Sequence, residues 1–589
     1  MEDVHSGYGL VLLIQARVIK AICFEMQGDI STALETYGAA WDVFSQHPTE
    51  KGEMLSYWIE ECIYRAILLH VRSQSSARQV LPLFRGYMQL ASSHWSPYWR
   101  MHKRWIIFQH YGQFLIKTYQ ENTYFSMPIQ STTKQSTITT TTLPKKKNDK
   151  ASAYEELLCL TALYRNLLSS ITIRSNTQEK ARYILELANF FVETHNVIGW
   201  GEMSNIRRIL QFFQKSKEHT FNSMCISRFI FFTFMRLGNY EEAIYSFRNY
   251  MELMGLPDID KNDANGVEIT PYAELDIPGR VELILIKLNS LRHIQETKMK
   301  NPEEKVTHFE NENEINVIEV LLAGIQLFGR ELRNGKQAAF LGDIAVELAT
   351  NIDPRICDYT MEEWVPVMVA CHRMRGTSYG LYASQTHDPE NRAIYHNEAL
   401  ASLRRASDYD INSWKVHYEI ALQQAQMKDI VQAMNSVGKS LQLKPDHIPS
   451  WHLLSLLNSC NQFQHVIPQA LQTIQAGLQE CGSGTINVPT NITFGMPVLS
   501  WNIDEKHCRA YHDQCEAYLR LRMTQLELLE LLDGPEAALG GYGELFSMYT
   551  LLAQSLGMSE AQVAVQANES LQRIASIHQQ GPLDLKRKN

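Results

Sequence analysis

The chain has 589 residues, 45% hydrophobic and 20% charged, which is longer than one compact core and fits several folded domains or one elongated stack. Its 55 basic and 64 acidic side chains leave a net charge of −9. That lacks the concentrated positive charge with which a general nucleic-acid binder displaces counterions, so no nucleic acid is expected as a partner. The ten cysteines are scattered, with no C-x-x-C pair, which speaks against a zinc or disulfide framework and for reduced thiols.

The longest nearly uninterrupted apolar stretch, Phe229 to Met235, is far shorter than the roughly 20 residues that span a bilayer. Met1-Glu2-Asp3 lacks the basic opening of a signal peptide, and neither a myristoylation glycine nor a prenylation box is present. Membrane contact is therefore expected to be indirect, and the location cytoplasmic or peripheral.

Residues 1–118 read as N-terminal helical repeats. Gly28-Asp29 turns into a helix carrying Ala33, Tyr37 and Ala40, with Pro48 closing it. A small residue, a large apolar one four later and a small one three after that share one helix face, and the small ones let a partner helix come close. From His94 to Tyr111, Trp95, Tyr98, Trp99, Trp105, Phe108 and Tyr111 alternate with Arg100, His102, Lys103 and Arg104. Such mixtures can stack bases or grip phosphates. Tyr98, Trp105 and Phe108, however, recur at roughly helical spacing, as a buried stripe does. The segment is read as a core helix whose basic side chains face solvent, with Arg100, Lys103 and Arg104 available to a partner or lipid headgroup.

Residues 119–150 are rich in Ser, Thr and Lys, with Thr137 to Thr142 and then Lys145-Lys146-Lys147. The tract cannot bury enough apolar surface to order itself and is expected to be a disordered insertion. Its three lysines are candidates for acidic lipid. Residues 151–297 read as middle helical repeats. There Leu237-Gly238-Asn239-Tyr240 leads into Ala243, Phe247 and Tyr250, with Pro257 beyond. Gly238 supplies the conformation the turn needs, and Ala243 sits where two helices meet. Residues 298–314 are an acidic, lysine-rich linker.

Residues 315–486 hold the clearest repetition. Ala399 with Leu403 and Ala406 returns as Ala433 with Val437 and Ser440, then as Ala470 with Ile474 and Gly477. The alanines are 34 and 37 residues apart, Trp414 and Trp451 each lie 19 residues before the alanine that follows, and Pro445 ends one unit. A period near 34 with an aromatic on the preceding helix is the tetratricopeptide signature. Residues 487–504 read as a loop and 505–560 as C-terminal helices: a long amphipathic one from Glu505 to Leu532, then a restart at Gly534-Pro535-Glu536. Residues 561–589 read as a frayed tail. No stretch alternates polar and apolar residues convincingly. The expected fold is all-α, a tetratricopeptide-type α-solenoid of stacked antiparallel helix pairs, each burying its apolar side only against the next.

Catalytic motifs are absent. There is no Gly-x-x-x-x-Gly-Lys-Ser/Thr phosphate cradle, no kinase-type catalytic loop, no Gly-x-Ser-x-Gly elbow and no His-Glu-x-x-His. Glu241-Glu242 and Glu362-Glu363 pair carboxylates, but at helix starts, where acids favour the dipole. No catalytic residue, cofactor or metal is expected. A helical enzyme would need a deep cavity lined by two buried carboxylates.

The repeats resemble those of the tetratricopeptide scaffold of the plasma-membrane phosphatidylinositol 4-kinase complex, the fungal cargo-transport or tetratricopeptide repeat protein seven family. The likeness is carried by Trp414 to Glu480, notably Ile420-Ala421-Leu422-Gln423 and Ser450-Trp451-His452-Leu453-Leu454-Ser455-Leu456-Leu457, and by Tyr518 to Leu532 followed by Gly534-Pro535-Glu536-Ala537-Ala538. It covers most of residues 5–555, thinly before about residue 340. The resemblance implies a non-catalytic α-solenoid that holds the lipid kinase's catalytic subunit and links it to a lipid-anchored protein at the inner face of the plasma membrane, supporting phosphoinositide synthesis and endocytic traffic. Members of that family usually continue with several further repeats beyond the point that matches the end of this chain. The alternative is a generic tetratricopeptide adaptor or co-chaperone that clamps acidic peptide termini. A clamp needs Lys, Arg and Asn converging on the inner helices, which here offer Lys415, His417, His452 and Asn458.

Overall fold

The structure is a computed structural model that describes residues 7–46, 52–93, 95, 99–121, 123–124, 149–172, 177–198, 200, 203–220, 222–256, 276–300, 312–357, 359–460, 466–481 and 508–555. Among these residues there are helices and turns and no strand, so the chain is all-α. It divides into two compact units, one comprising Met1–Trp200, Gln211–Phe229 and Lys305–Glu310, the other Gly201–Leu210, Ile230–Glu304 and Asn311–Asn589. The division passes through α8 (Met203–Thr220) and α9 (Met224–Leu237).

The first unit contains α1 (Gly7–Gln27), α2 (Ile30–Ser45), α3 (Glu53–Arg72), α4 (Ala77–Ser93), α5 (Met101–Gln120), α6 (Asp149–Thr172) and α7 (Thr177–Ile198). Each packs on the next, and α1, α3, α5 and α7 also touch in series. That is how helix pairs stack when no pair can bury its own apolar face. The core runs through Leu10, Tyr37, Ile63, Phe84, Trp105 and Tyr164, each large side chain contributing about 1.5–3 kcal/mol on burial.

The second unit contains α10 (Tyr240–Leu253), α11 (Ile277–Lys300), α12 (Glu314–Gln326) with a wider π-helical turn at Leu327–Glu331, α13 (Gly335–Asn351), α14 (Met361–Gln385), α15 (Pro389–Tyr409), α16 (Trp414–Gln426), α17 (Ile430–Leu443), α18 (Ile448–Ser459), α19 (Val466–Glu480), α20 (Cys508–Asp533) and α21 (Pro535–Ser555). Here α12, α14, α16, α18 and α20 touch in series as one layer, and α13, α15, α17, α19 and α21 form hairpins with them. The stacked antiparallel pairs of a tetratricopeptide-type solenoid are therefore present.

One turn recurs in both units. At Gly28-Asp29, Gly238-Asn239 and Lys428-Asp429 the first residue is left-handed, with φ of 81°, 74° and 64°. In each, the second amide donates to the carbonyl five residues back: Asp29 to Phe24, Asn239 to Phe234 and Asp429 to Gln424, at 3.1, 3.1 and 2.9 Å. This closes one helix and opens the next. Asp29 and Asp429 then cap the new helix by accepting from Thr32 and Gln432 amides.

The small–large–small faces lie between paired helices. Ala33, Tyr37 and Ala40 on α2, Ala399, Leu403 and Ala406 on α15, and Ala433 and Val437 on α17 are at most 1% exposed. Ala243, Phe247, Ala470 and Ile474 are likewise buried, while Tyr240 is half-buried and Gly238 is exposed in its turn. Trp451 lies so close to Gly477 that a β-carbon there would sit 2.7 Å from its ring. Its indole N–H donates to the Pro445 carbonyl at 2.7 Å. Trp414 packs on His447 with ring centres 4.4 Å apart, and its carbonyl accepts from Ser440. The paired acids do sit at helix starts, and Glu363 completes a capping box with Thr360.

Candidate partner-binding surface

In the second unit, α14 is held to both neighbours by Arg375. Its guanidinium donates to Asp343 of α13 at 2.6 Å and to Glu398 of α15 at 3.3 Å, and it also donates to Ser402. Tyr379 adds a 2.7 Å bond to Asp343. Gln423 of α16, 4% exposed, donates to the His396 carbonyl of α15. These contacts fix α14 and α16 side by side.

On the layer formed by α14, α16, α18 and α20, a second set of polar groups stays within electrostatic reach of one another. Arg373 comes from α14, Tyr418 and Glu419 from α16, His452 from α18, and Arg520 and Thr524 from α20. His452 Nε2 and Thr524 Oγ1 are 2.9 Å apart. Burial pushes the Glu419 carboxyl pKa up, against the opposing pull of Arg373. Burial also raises the Tyr418 hydroxyl, helped by Glu419 and opposed by Arg520. The His452 ring is lowered by burial and then by Arg520. Neither the Glu419 carboxyl nor the Tyr418 hydroxyl makes a hydrogen bond to another described residue. A strip of this kind carries donors and acceptors of both signs, partly dehydrated, and can recognise a polar segment of another chain.

Helices far apart in the chain contribute to this strip, so no local pattern announces it. Arg373 and Glu419 stand on different helices, 46 residues apart. The clamp residues do not converge. His417 bonds to the Ile411 carbonyl, Asn458 donates to Thr473, and the Lys415 ammonium lies 5.3 Å from the Trp414 ring centre.

The basic residues of α5 require a correction. They were expected to face solvent, and His102 does, but Arg104 is 5% exposed, Arg100 donates to Glu60 and Glu61 at 3.1 and 3.2 Å, and Lys103 pairs with Glu61. The cause is α3, which buries two adjacent carboxylates against this segment. Glu60 is fully buried and also accepts from Tyr87 and Trp99. Arg100, Lys103 and Arg104 are thus engaged within the fold. Trp105 and Phe108 are buried as expected. Tyr98, Lys145, Lys146 and Lys147 lie outside the described residues.

Among the described residues, no helix is long and apolar enough to cross a membrane. No protein-family profile matches the chain. One curated relative, a candidate cargo-transport protein, ypp1, of Schizosaccharomyces pombe, is 24% identical over 235 residues, 40% of this chain and 25% of the relative. The match therefore takes in a quarter of that protein's length. Among solved structures, that of Ypp1 aligns with 13% identity and a TM-score of 0.34, covering 95% of this chain and 69% of the other. The TPR domain of P58(IPK) aligns with 9% identity and a TM-score of 0.22, covering 78% and 99%. The family to which the chain's sequence relates it, and which its repeats resemble, is that of the cargo-transport protein Ypp1.

Proposed function

We propose that the protein is a non-catalytic scaffold that recruits and stabilises the catalytic subunit of a phosphatidylinositol 4-kinase at the inner face of the plasma membrane, through a lipid-anchored partner. The observation that carries this reading is the sequence relation to a cargo-transport protein in a chain built of stacked helix pairs. Such stacks offer long, rigid faces and act by shape. The mixed-charge strip on α14, α16, α18 and α20 supports it, because a strip of donors and acceptors of both signs can hold a segment of another protein. The poor convergence of Lys415, His417, His452 and Asn458 weighs against a co-chaperone clamp.

The test is co-purification of the tagged full chain from cells. The lipid kinase and a lipid-anchored membrane protein are expected in stoichiometric amounts, with phosphatidylinositol 4-phosphate at the plasma membrane falling when the chain is depleted. Recovery of neither protein, with unchanged lipid, would overturn the reading. Tight binding of an acidic C-terminal peptide instead would favour the co-chaperone.

A further inference from the structure

The first helix of the first unit has two apolar sides. Leu10, Ile14, Val18 and Ala21 turn inward and are at most 1% exposed, where α1 packs on α2 and α3. On the solvent side stand Tyr8, Leu12, Gln15, Ile19, Ile22 and Met26, separated alternately by four and three residues. That is the seam spacing of paired helices, in which the stripe of one meets the stripe of the other. Five of the six positions are apolar, and Tyr8, Leu12, Ile19 and Met26 are 74%, 47%, 44% and 84% exposed. Contiguous exposed apolar surface of this kind marks a site of association.

The two edges of the stripe differ. On one, Val18 is fully buried, and Glu25 accepts from the Tyr37 hydroxyl at 2.8 Å and from Arg65 at 3.3 Å, so that edge is fastened to the rest of the unit. On the other, Ala16 and Cys23 are small and exposed, seven residues apart, and let a neighbouring helix come close. The face is also nearly free of charge. Lys20 is the one exposed ionised side chain of α1, and it stands off the stripe with its ammonium 5.8 Å from the Phe24 ring centre. Arg17 is half-buried and donates to the Ala39 carbonyl. A face without charge selects no charged partner and does not repel its own image.

We propose that α1 is the contact between two copies of this chain, its stripe pairing antiparallel with the same stripe of a second copy. In that register Tyr8 meets Met26 of the second copy, Leu12 meets Ile22, and Gln15 meets Ile19. A thioether against an aromatic ring is a favourable contact. The antiparallel sense follows from the edges. It sets the small edge of one copy against the small edge of the other, whereas parallel pairing would press it against the fastened edge. One patch meeting itself across a two-fold axis closes at two copies. The contact involves the first unit alone and is independent of the scaffold reading, which a monomer satisfies equally.

Sedimentation equilibrium of the full chain over a wide concentration range tests the proposal, and a monomer–dimer equilibrium is expected. Leu12→Gln and Ile19→Gln should each weaken it about tenfold or more, since each removes an aliphatic side chain from both sides of the contact. Both positions are exposed in the single copy, and far-UV circular dichroism checks that the variants fold. Orientation is read by oxidative cross-linking in a Cys23→Ser background. Ala16→Cys lies beside the two-fold axis and should add a linked dimer, whereas Lys20→Cys, off the stripe, should add none. A chain that stays monomeric at every concentration, unchanged association in the folded Leu12→Gln and Ile19→Gln variants, or no cross-link through position 16 would overturn the assignment. An open-ended assembly would do the same, because it requires a second, different patch.

Discussion

The recurrent left-handed turn gives a residue-scale prediction. Lys428 holds φ of 64° where the equivalent residues are Gly28 and Gly238. A side chain there costs roughly 1–2 kcal/mol. Lys428→Gly should therefore raise the urea midpoint by about 1 kcal/mol of stability, and Gly238→Ala should lower it by a similar amount. If both shifts are nil, the turn does not carry the strain assigned to it. The packing residues behave differently. Ala433 is fully buried between α16 and α17, so Ala433→Leu overpacks the joint and should cost about 1–3 kcal/mol, read from thermal unfolding. His372 adds a pH term. It is buried on α14, its ring stacked at 5.7 Å on Tyr409 and its Nδ1 without a hydrogen-bond partner among the described residues. Burial lowers its pKa to about 4, with Arg405 and Arg375 adding to the effect, from an ordinary 6.5. Between those values the unfolded chain binds the proton and the folded one does not. This contribution is therefore fully present above about pH 6.5 and is lost as pH falls towards about 4, by about 3 kcal/mol over the whole interval. His372→Phe should flatten the fall in stability between about pH 7 and 5. An unchanged slope would mean that other groups set it.

Between elements, the polar anchors decide more than the repeats do. Glu156 of α6 accepts both Nε and Nη2 of Arg85 on α4 at 2.9 Å, the Tyr124 hydroxyl at 2.7 Å, and the Tyr111 hydroxyl of α5. Burial alone would raise its pKa, but the Arg85 fork and the two hydroxyls outweigh it and hold it low. Glu156→Gln leaves a buried guanidinium beside a neutral amide, and the first unit should lose about 2–4 kcal/mol, measured by denaturant unfolding. A loss under half a kilocalorie would show that the pair is solvated. This scale also marks how far the sequence could be read. The α2, α10, α15, α17 and α19 faces were legible because each pattern is local, repeating at three and four residues. Glu60 and Arg100 are 40 residues apart, so nothing near either betrays the other. Basic residues between aromatics therefore looked solvent-facing when they were turned inward. The strip of Arg373, Tyr418 and Glu419 escaped for the same reason: several helices contribute one or two residues each.

At the scale of the whole molecule, the scaffold reading places function on the faces of stacked helix pairs. The scaffold reading predicts that Glu419→Lys, a half-buried change on α16, leaves thermal unfolding within about 1 kcal/mol while weakening retention of whichever partner uses the strip. Unaltered partner recovery would remove the strip from the binding surface without touching the fold. The regularities of α14 to α19 made the all-α solenoid readable, whereas the proposed partners would leave no periodic trace in one chain.

Within each unit, the helix contacts described join elements one or two places apart along the stack. A chain wired in that way has no keystone. Its hairpins are cells in series, and tension on the two ends of a unit is met by whichever cell is weakest. Held in an optical trap, the second unit should lengthen in several small rips, each about the length of one hairpin, and rejoin cell by cell on relaxation. A single large rip would mean that the cells are tied by something other than their neighbours. A scaffold of this kind yields locally under load and keeps the remainder of its surface in register.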